Sequence, residues 1–344
     1  MTIHHLGPDP ATVGGMASVI RVFTEQRVGG DAVEFQPTWC PNARLTSARL
    51  AAAAAGTLRH LPAGAVAHIH LSEKGSFVRE GALVALARRH RLTTVASIHG
   101  GEFVGFAERY PWLVSAVLGR ADVVICLARE TLDSVRHQVP AVRAELVPNP
   151  VLLDRDSPPA DETDELVVFA GEISTRKGAD VLHRAWQIVA QRRPGARCLM
   201  VGPIIDYTPP ATERLELHPP VGPAEVREIL RATRIVALPA HAEALPMILS
   251  EAMAAGRPFV STAVGGIPDL LASGGGVAVP VGDHVALADR LTELLADPTQ
   301  ARELGERGRA FCARTQSVEV IDARLRGLYA AATRGRKAGA ERTD

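Results

Sequence analysis

At 344 residues the chain is long enough for about two domains of ~150 residues, and its 47% hydrophobic content suits well-packed cores. Its 38 Lys and Arg balance 38 Asp and Glu, so no overall field draws it to nucleic acid, and any bound anion must be held by local geometry. No N-terminal segment has the signature of a secretory leader, and no apolar run reaches the ~18 residues of a membrane span. This composition reads as cytoplasmic. The four cysteines (Cys40, Cys126, Cys198, Cys312) are too scattered for a CxxC redox or zinc cluster. Cys126 and Cys198 fall in strand-like runs and read as buried free thiols, with pairing in space left open.

In chain order, β-branched runs alternate with amphipathic Ala/Arg/Leu-rich stretches. The strand-like runs are Thr2 to Leu6, Ala65 to Leu71, Leu92 to Ile98, Asp122 to Leu127 and Ala144 to Val147. Asp154 to Glu165, with Ser157, Pro158, Pro159 and several acids, then reads as a solvated linker. The alternation resumes at Leu166 to Ala170, Ala196 to Val201, Arg214 to Leu217, Arg234 to Leu238, Pro258 to Thr262 and Gly276 to Pro280. Strands separated by helices predict parallel βαβ units, here two blocks on either side of a hinge. The predicted domains are 1–150 and 151–316, followed by a terminal segment 317–344 whose helix carries Val318, Ile321, Leu325 and Leu328 on one face. Ligands of open parallel sheets sit beyond the strands' carboxyl ends, so a cleft between the two lobes is the predicted site.

Several segments at such strand ends can carry chemistry. Glu243-Ala-Leu-Pro-Met-Ile-Leu-Ser-Glu251 follows a strand, and Pro246 suits the first turn of a helix. The free N–H groups of that helix start favour a diphosphate, and two carboxylates can accept hydrogen bonds from hydroxyls. On the residues alone, a solvated helix face explains the segment as well as a site does. Gly171-Glu-Ile-Ser-Thr-Arg176-Lys177-Gly178 supplies two cations in a strand-to-helix turn, where they can neutralise an anionic leaving group. Val13-Gly14-Gly15-Met16 opens the first helix with glycines that admit close backbone approach. His99-Gly100-Gly101 follows the strand Leu92 to Ile98, and His70-Leu-Ser-Glu-Lys-Gly-Ser76-Phe-Val-Arg79 follows Ala65 to Leu71. His4, His68 and His70 lie in strands and read as core or surface fillers. Trp112, Leu113, Val117 and Leu118 either pack a helix on the first sheet or form an apolar patch.

Glu-x7-Glu followed by Ala-Met-Ala-Ala-Gly-x-Pro and Val264-Gly-Gly-Ile-Pro-Asp269 closely resembles the retaining family 4 glycosyltransferases (glycosyltransferases group 1). The resemblance spans nearly the whole chain and implies an α/β fold of two Rossmann-like parallel-sheet domains facing across a cleft, the GT-B fold. It implies that Glu243 contacts the transferred sugar and Glu251 the ribose, with Leu245, Met247 and Ile248 beside them on the donor. Arg176 and Lys177 would hold the diphosphate, Gly14 and Gly15 would lie by the donor phosphates, and His99 would act at the reacting centre. Met16, Ser76 and Arg79 fall on the acceptor side, and the C-terminal helix would cross back to the first domain. One departure matters. Where many members carry Arg directly after the first glycine, this chain has Glu172, which should point away from a diphosphate or touch a donor hydroxyl.

The implied activity is retaining transfer of a sugar from a nucleoside diphosphate to a hydroxyl of a glycan, glycolipid or secondary metabolite. The expected partners are that donor and an acceptor, free or lipid-linked, with no nucleic acid; the location is the cytoplasm or the inner face of the cell membrane. No cofactor is expected. Asp154-Arg-Asp156 has the form of a metal-binding Asp-x-Asp but reads as solvated linker, so no metal is predicted. The competing readings are a sugar-nucleotide epimerase of similar fold, which needs no acceptor, and a non-catalytic sugar-nucleotide-binding protein. A pyridine-dinucleotide dehydrogenase is disfavoured because no G-x-G-x-x-G follows the first strand.

Overall fold

A computed structural model describes residues 2–10, 12, 14–40 and 44–340. Its chain forms two compact units, one of residues 1–150 with 318–344 and one of residues 151–317.

In the first unit the elements run β1 (Thr2–Pro8), α1 (Gly15–Glu25), β2 (Ala32–Trp39), α2 (Arg44–His60), β3 (Val66–Leu71) and α3 (Gly75–Arg89). They continue as β4 (Thr93–Ile98), α4 (Phe103–Arg109), α5 (Pro111–Leu118), β5 (Val123–Cys126), α6 (Arg129–Gln138) and β6 (Ala144–Leu146). All strand pairs are parallel, in the order β2-β1-β3-β4-β5-β6. The central strands β3, β4 and β5 are buried along their whole length because helices cover both faces. Strand β2 is absent from the sequence-based expectation. It is an edge strand with exposed Ala32 and Glu34 and an internal Pro37, which only an edge tolerates, so it lacks a hydrophobic run. In α5, Val117 and Leu118 pack into the core as a covering helix should, whereas Trp112 on the same helix is 70% exposed.

The second unit runs β7 (Leu166–Ala170), α7 (Ala179–Arg192), β8 (Arg197–Val201), β9 (Leu215–His218), α8 (Pro223–Ala232), β10 (Ile235–Leu238) and α9 (Met247–Ala254). It ends with β11 (Phe259–Thr262), α10 (Ile267–Leu271), β12 (Gly276–Val279), α11 (His284–Ala296) and α12 (Pro298–Thr315). Its parallel sheet has the order β12-β11-β10-β7-β8-β9. Strand order therefore reverses between β7 and β10, and the crevice beyond their carboxyl ends is the expected ligand position in a doubly wound sheet.

The last helix, α13 (Val318–Ala340), belongs to the first unit. Ile321, Leu325 and Leu328 are buried as the periodicity predicts, together with Tyr329. Asp322 accepts the Gly29 amide at 2.6 Å, and Arg336 pairs with Asp122 at 2.9 Å. Gly29 sits at φ +91°, and a Cβ there would lie 2.5 Å from the Tyr329 ring, so only glycine admits this helix.

The stretch after residue 153 is not the solvated linker its composition predicts. Asp154 is buried, with both carboxylate oxygens on Arg231 at 2.8 and 3.0 Å, and this guanidinium holds its carboxyl below the usual range. Ser157, Ala160 and Thr163 are buried as well. The clamp is Arg257, fully buried, which donates to the carbonyls of Thr233, Ala255 and Pro158 and to Ser157 Oγ. Polar groups saturate polar groups, and so a largely polar and charged segment lies partly buried on the unit. Arg257→Met keeps the volume but orphans these acceptors. It should cost the second unit about 3 kcal/mol, read as a shift of its urea transition; a shift below about 1 kcal/mol would contradict the clamp.

Candidate donor-binding site

The crevice of the second unit is built from the loop after β7, residues 171–178, and the loop after β10, residues 239–246. Each has its own fixings. Thr175 gives its amide and hydroxyl to the Asp206 carboxylate at 2.8 and 3.0 Å. Gly178 caps α7 at φ +77°, and a Cβ there would meet the Pro239 carbonyl at 2.0 Å, so glycine lets the two loops touch. The His241 amide then donates to the Arg176 carbonyl at 2.8 Å. Behind the second loop, Ser261 and Thr262 hydroxyls donate to the carbonyls of Leu238 and Ala240 at 2.5 Å.

These fixings bring Arg176, Lys177 and Glu243 together. Lys177 Nζ contacts Glu243 Oε1 in an ion pair whose side chains are only 17% and 8% exposed. Arg176 Nη2 pairs with Glu172 at 2.8 Å, and its Nη1 donates to the Ala242 carbonyl at 3.3 Å. Burial pulls the Lys177 ammonium down to about 8; the Arg176 charge adds to that, and Glu172 opposes it. Glu172 therefore turns onto Arg176 and acts as its counterion.

Helix α9 starts after Pro246, with no side-chain cap on its first amides. Leu245 and Met247 are buried at this start, while Ile248 and Glu251 are partly exposed, Glu251 just over one turn in. The Val264-Gly-Gly stretch grips the other side. Gly265 stands at φ +55° with the Glu243 carbonyl where its Cβ would be, at 1.6 Å, and the Gly266 amide donates to the Ala244 carbonyl at 2.6 Å. Asp206 and Gly265 carry no signal of this role in the sequence, because each acts on a loop distant along the chain.

The remaining candidates lie in the first unit. Gly14, at φ +151°, precedes α1, and Gly14 and Gly15 are exposed with open space where a Cβ would stand, beside a partly buried Met16. Val13 lies outside the described residues. Ser76 Oγ and Arg79 both bond Glu80, a fully buried carboxylate that also accepts from Thr38 Oγ1 at 2.6 Å. Arg79 lies 5.8 Å from the Trp39 ring centroid, so these two residues first of all satisfy and cover Glu80. His99 stands just past β4, and Gly100 beside it leaves room for the Glu73 carboxylate, which a Cβ would meet at 1.6 Å. Among the described residues no helix is long and apolar enough to cross a membrane.

Comparison with known proteins agrees with this architecture. Residues 18–155 match the family described as Glycosyltransferase Family 4, and residues 152–311 match Glycosyl transferases group 1. D-inositol 3-phosphate glycosyltransferase of Xylanimonas cellulosilytica is 30% identical over 249 residues, 66% of this chain and 58% of the relative. The protein of the same name in Segniliparus rotundus is 32% identical over 188 residues, 51% of this chain and 42% of the relative. The chain thus spans about half the length of the curated relatives it matches. Sucrose-phosphate synthase of Thermosynechococcus elongatus superposes with a TM-score of 0.78 at 20% identity, covering 96% of this chain and 98% of that one. Anabaena HepE in complex with UDP-glucose superposes at 0.72 and 15% identity, covering 96% of this chain and all of the other. Both likenesses place the fold in the GT-B class.

The charges around Lys177 predict titration shifts of opposite sign. Glu172→Gln removes a charge that holds the ammonium up, so Lys177 should titrate below about 8; Arg176→Gln removes one that pushes it down, so it should titrate higher. Lysine-selective NMR titration reads both, and shifts of the same sign would contradict the arrangement.

Proposed function

Because this chain belongs to the family 4, group 1 glycosyltransferases, we propose that it transfers a sugar from a nucleoside-diphosphate sugar to an acceptor hydroxyl, with retention at the anomeric carbon. The observation that carries this reading is the pairing of Arg176 and Lys177 with Glu172 and Glu243 on the two loops of the strand-order crevice. Two cations in a half-buried turn suit a diphosphate, whose negative charge grows as it leaves. Glu243, freed from Lys177 by that anion, accepts hydrogen bonds from sugar hydroxyls, and Glu251 does the same for the ribose. The amides at the start of α9 add their partial positive charge.

Among the described residues we assign no carboxylate as the nucleophile of a two-step displacement through a glycosyl-enzyme. Same-face transfer fits these groups better. The bond from the anomeric carbon to the diphosphate oxygen breaks, the acceptor oxygen bonds to that carbon, and the acceptor proton passes to the departing diphosphate. Arg176 and Lys177 stabilise that leaving group, and His99 orients the reacting sugar. The acceptor is the hydroxyl of a glycan, glycolipid or secondary metabolite. Relatives named for D-inositol 3-phosphate add a phosphorylated cyclic polyol to the acceptors worth testing first.

A panel of sugar nucleotides, scored by thermal shift and by donor turnover with and without acceptors, tests the reading. At least one donor should stabilise the protein; stabilisation by none, or acceptor-free conversion to an epimer, would sink it. Arg176→Ala should weaken the productive donor and lower kcat by roughly 10²-fold, within the range for losing a transition-state cation. Glu243→Gln should lower kcat/KM similarly. Far-UV circular dichroism and urea unfolding serve as controls, since Glu243→Gln leaves a buried ammonium unpaired.

A further inference from the structure

Four histidines that the proposed chemistry uses only at one end form a connected row in the first unit. His70 stands on β3 between two others. Its Nε2 lies 2.9 Å from His5 Nδ1 on β1, and its Nδ1 lies 2.9 Å from His99 Nε2 past β4. The His5 and His70 rings are inclined by only 23° with centroids 5.2 Å apart, so their contact is an in-plane, edge-to-edge hydrogen bond. His68 stacks on His70 at 4.5 Å and 16°, and its own nitrogens meet Tyr329 Oη and Ser97 Oγ, both at 2.6 Å.

Nitrogens of His5, His68 and His70 lie within 4.8 Å of one another, which is the spacing of a metal site. The donor set does not fit one. Both nitrogens of His70 are engaged by histidines and both of His68 by hydroxyls, which leaves His5 Nε2 alone, and one lone pair holds no ion.

His5 Nε2 is the informative atom. It is buried and has no hydrogen-bond partner, and His5 is wholly enclosed, with Phe23 stacked on it at 4.9 Å. Burial keeps the row neutral: His5 is held down to about 3 and His99 to about 4, with His68 and His70 well below their usual value. Each ring therefore carries one proton, and the row has two polarities. If His99 donates to His70 and His70 to His5, the last N–H stands on His5 Nε2 with nothing to receive it. In the opposite polarity that atom is a bare lone pair. A buried donor left unpaired is the rarer and costlier outcome. The second polarity has His5 Nδ1–H donating to His70 Nε2, and His70 Nδ1–H donating to His99 Nε2.

We infer that His5 and His70 are positioning residues that lock His99 in the tautomer protonated at Nδ1, so that this partly exposed side chain is a fixed hydrogen-bond donor. Resting on the proposed transfer reaction, the inference gives His99 a specific task there. With Nε2 occupied by His70, it donates from Nδ1 to an oxygen of the bound sugar and takes no proton itself. The row also explains Gly7, whose Cβ would lie 2.7 Å from Ile20 and 3.2 Å from the His70 Cβ; its absence lets α1 close over His70.

Long-range ¹H–¹⁵N NMR of the histidine rings in the ligand-free protein, assigned by single substitution, reads the tautomers directly. His99 should show a protonated Nδ1 and a bare Nε2; protonation at Nε2, or a mixture near equality, would overturn the inference. His70→Asn keeps an amide donor near the lost Nδ1 and should preserve the His99 pattern, whereas His70→Leu should release it to a mixture. An unchanged His99 pattern in His70→Leu would overturn the role of His70. In turnover, His70→Leu should lose about tenfold or more in kcat, as for a misdirected transition-state donor, with KM for the donor little changed and with partial rescue by Asn. A locked His99 in a protein that transfers no sugar would defeat the proposed function and leave the tautomer inference standing.

Discussion

A buried ammonium needs a counterion, and Lys177 finds it only because two loops far apart in sequence are held against each other. Taking an ion out of water costs several kcal/mol, and a single close partner offsets that only with good geometry. Glu243 is that partner, and the neighbouring Arg176 raises the demand by adding a second positive charge. Glu172 answers the second charge. The crevice thus neutralises itself, with two carboxylates standing where the oxygens of a bound anion would be equally suited. In the proposed reaction an incoming diphosphate displaces both, and the carboxylates it displaces become free to accept hydrogen bonds.

The scaffold makes this exchange local. Strand order reverses between β7 and β10, so the loops that leave them rise from adjacent strands of one sheet at the expected ligand position. Gly178 and Gly265 bring backbone onto backbone where any side chain would hold the loops apart. Asp206, Ser261 and Thr262 fix the loops from behind. Only the tips of Arg176, Lys177, Glu172 and Glu243 then need to rearrange, which keeps the reorganisation small as a charged ligand enters.

The alternating strands and helices were legible in the sequence because buried parallel strands are continuous apolar runs, as Val123 to Cys126 and Ile235 to Leu238 illustrate. Strand β2 was not legible, since an edge strand with Glu34, Gln36 and Pro37 has no such run. The charged stretch from Asp154 was misread for a related reason. Composition reports that such residues need water or polar partners, and it does not reveal that Arg231 and Arg257 supply the partners from across the unit. At the site, Arg176, Lys177 and Glu243 stood out by type and motif, and the fold brings them together. Glu172 departs from the motif in the sequence, but its partner emerges only from the turn of the loop. The histidine row was invisible: His68 and His70, like His4, look like strand filler, and His5 carries no signal of its own until the register of β1, β3 and β4 sets them side by side.

Self-neutralisation by Glu172 has one direct consequence for binding. Calorimetric titration of nucleoside diphosphates into the native protein and Glu172→Gln compares an anion that must evict a carboxylate with one that meets an open Arg176. The account predicts severalfold tighter binding to Glu172→Gln, with the difference shrinking at high salt as the screened charge loses its reach. Equal or weaker binding by the variant would mean that Glu172 does not compete for the cation, and would contradict the account at its centre.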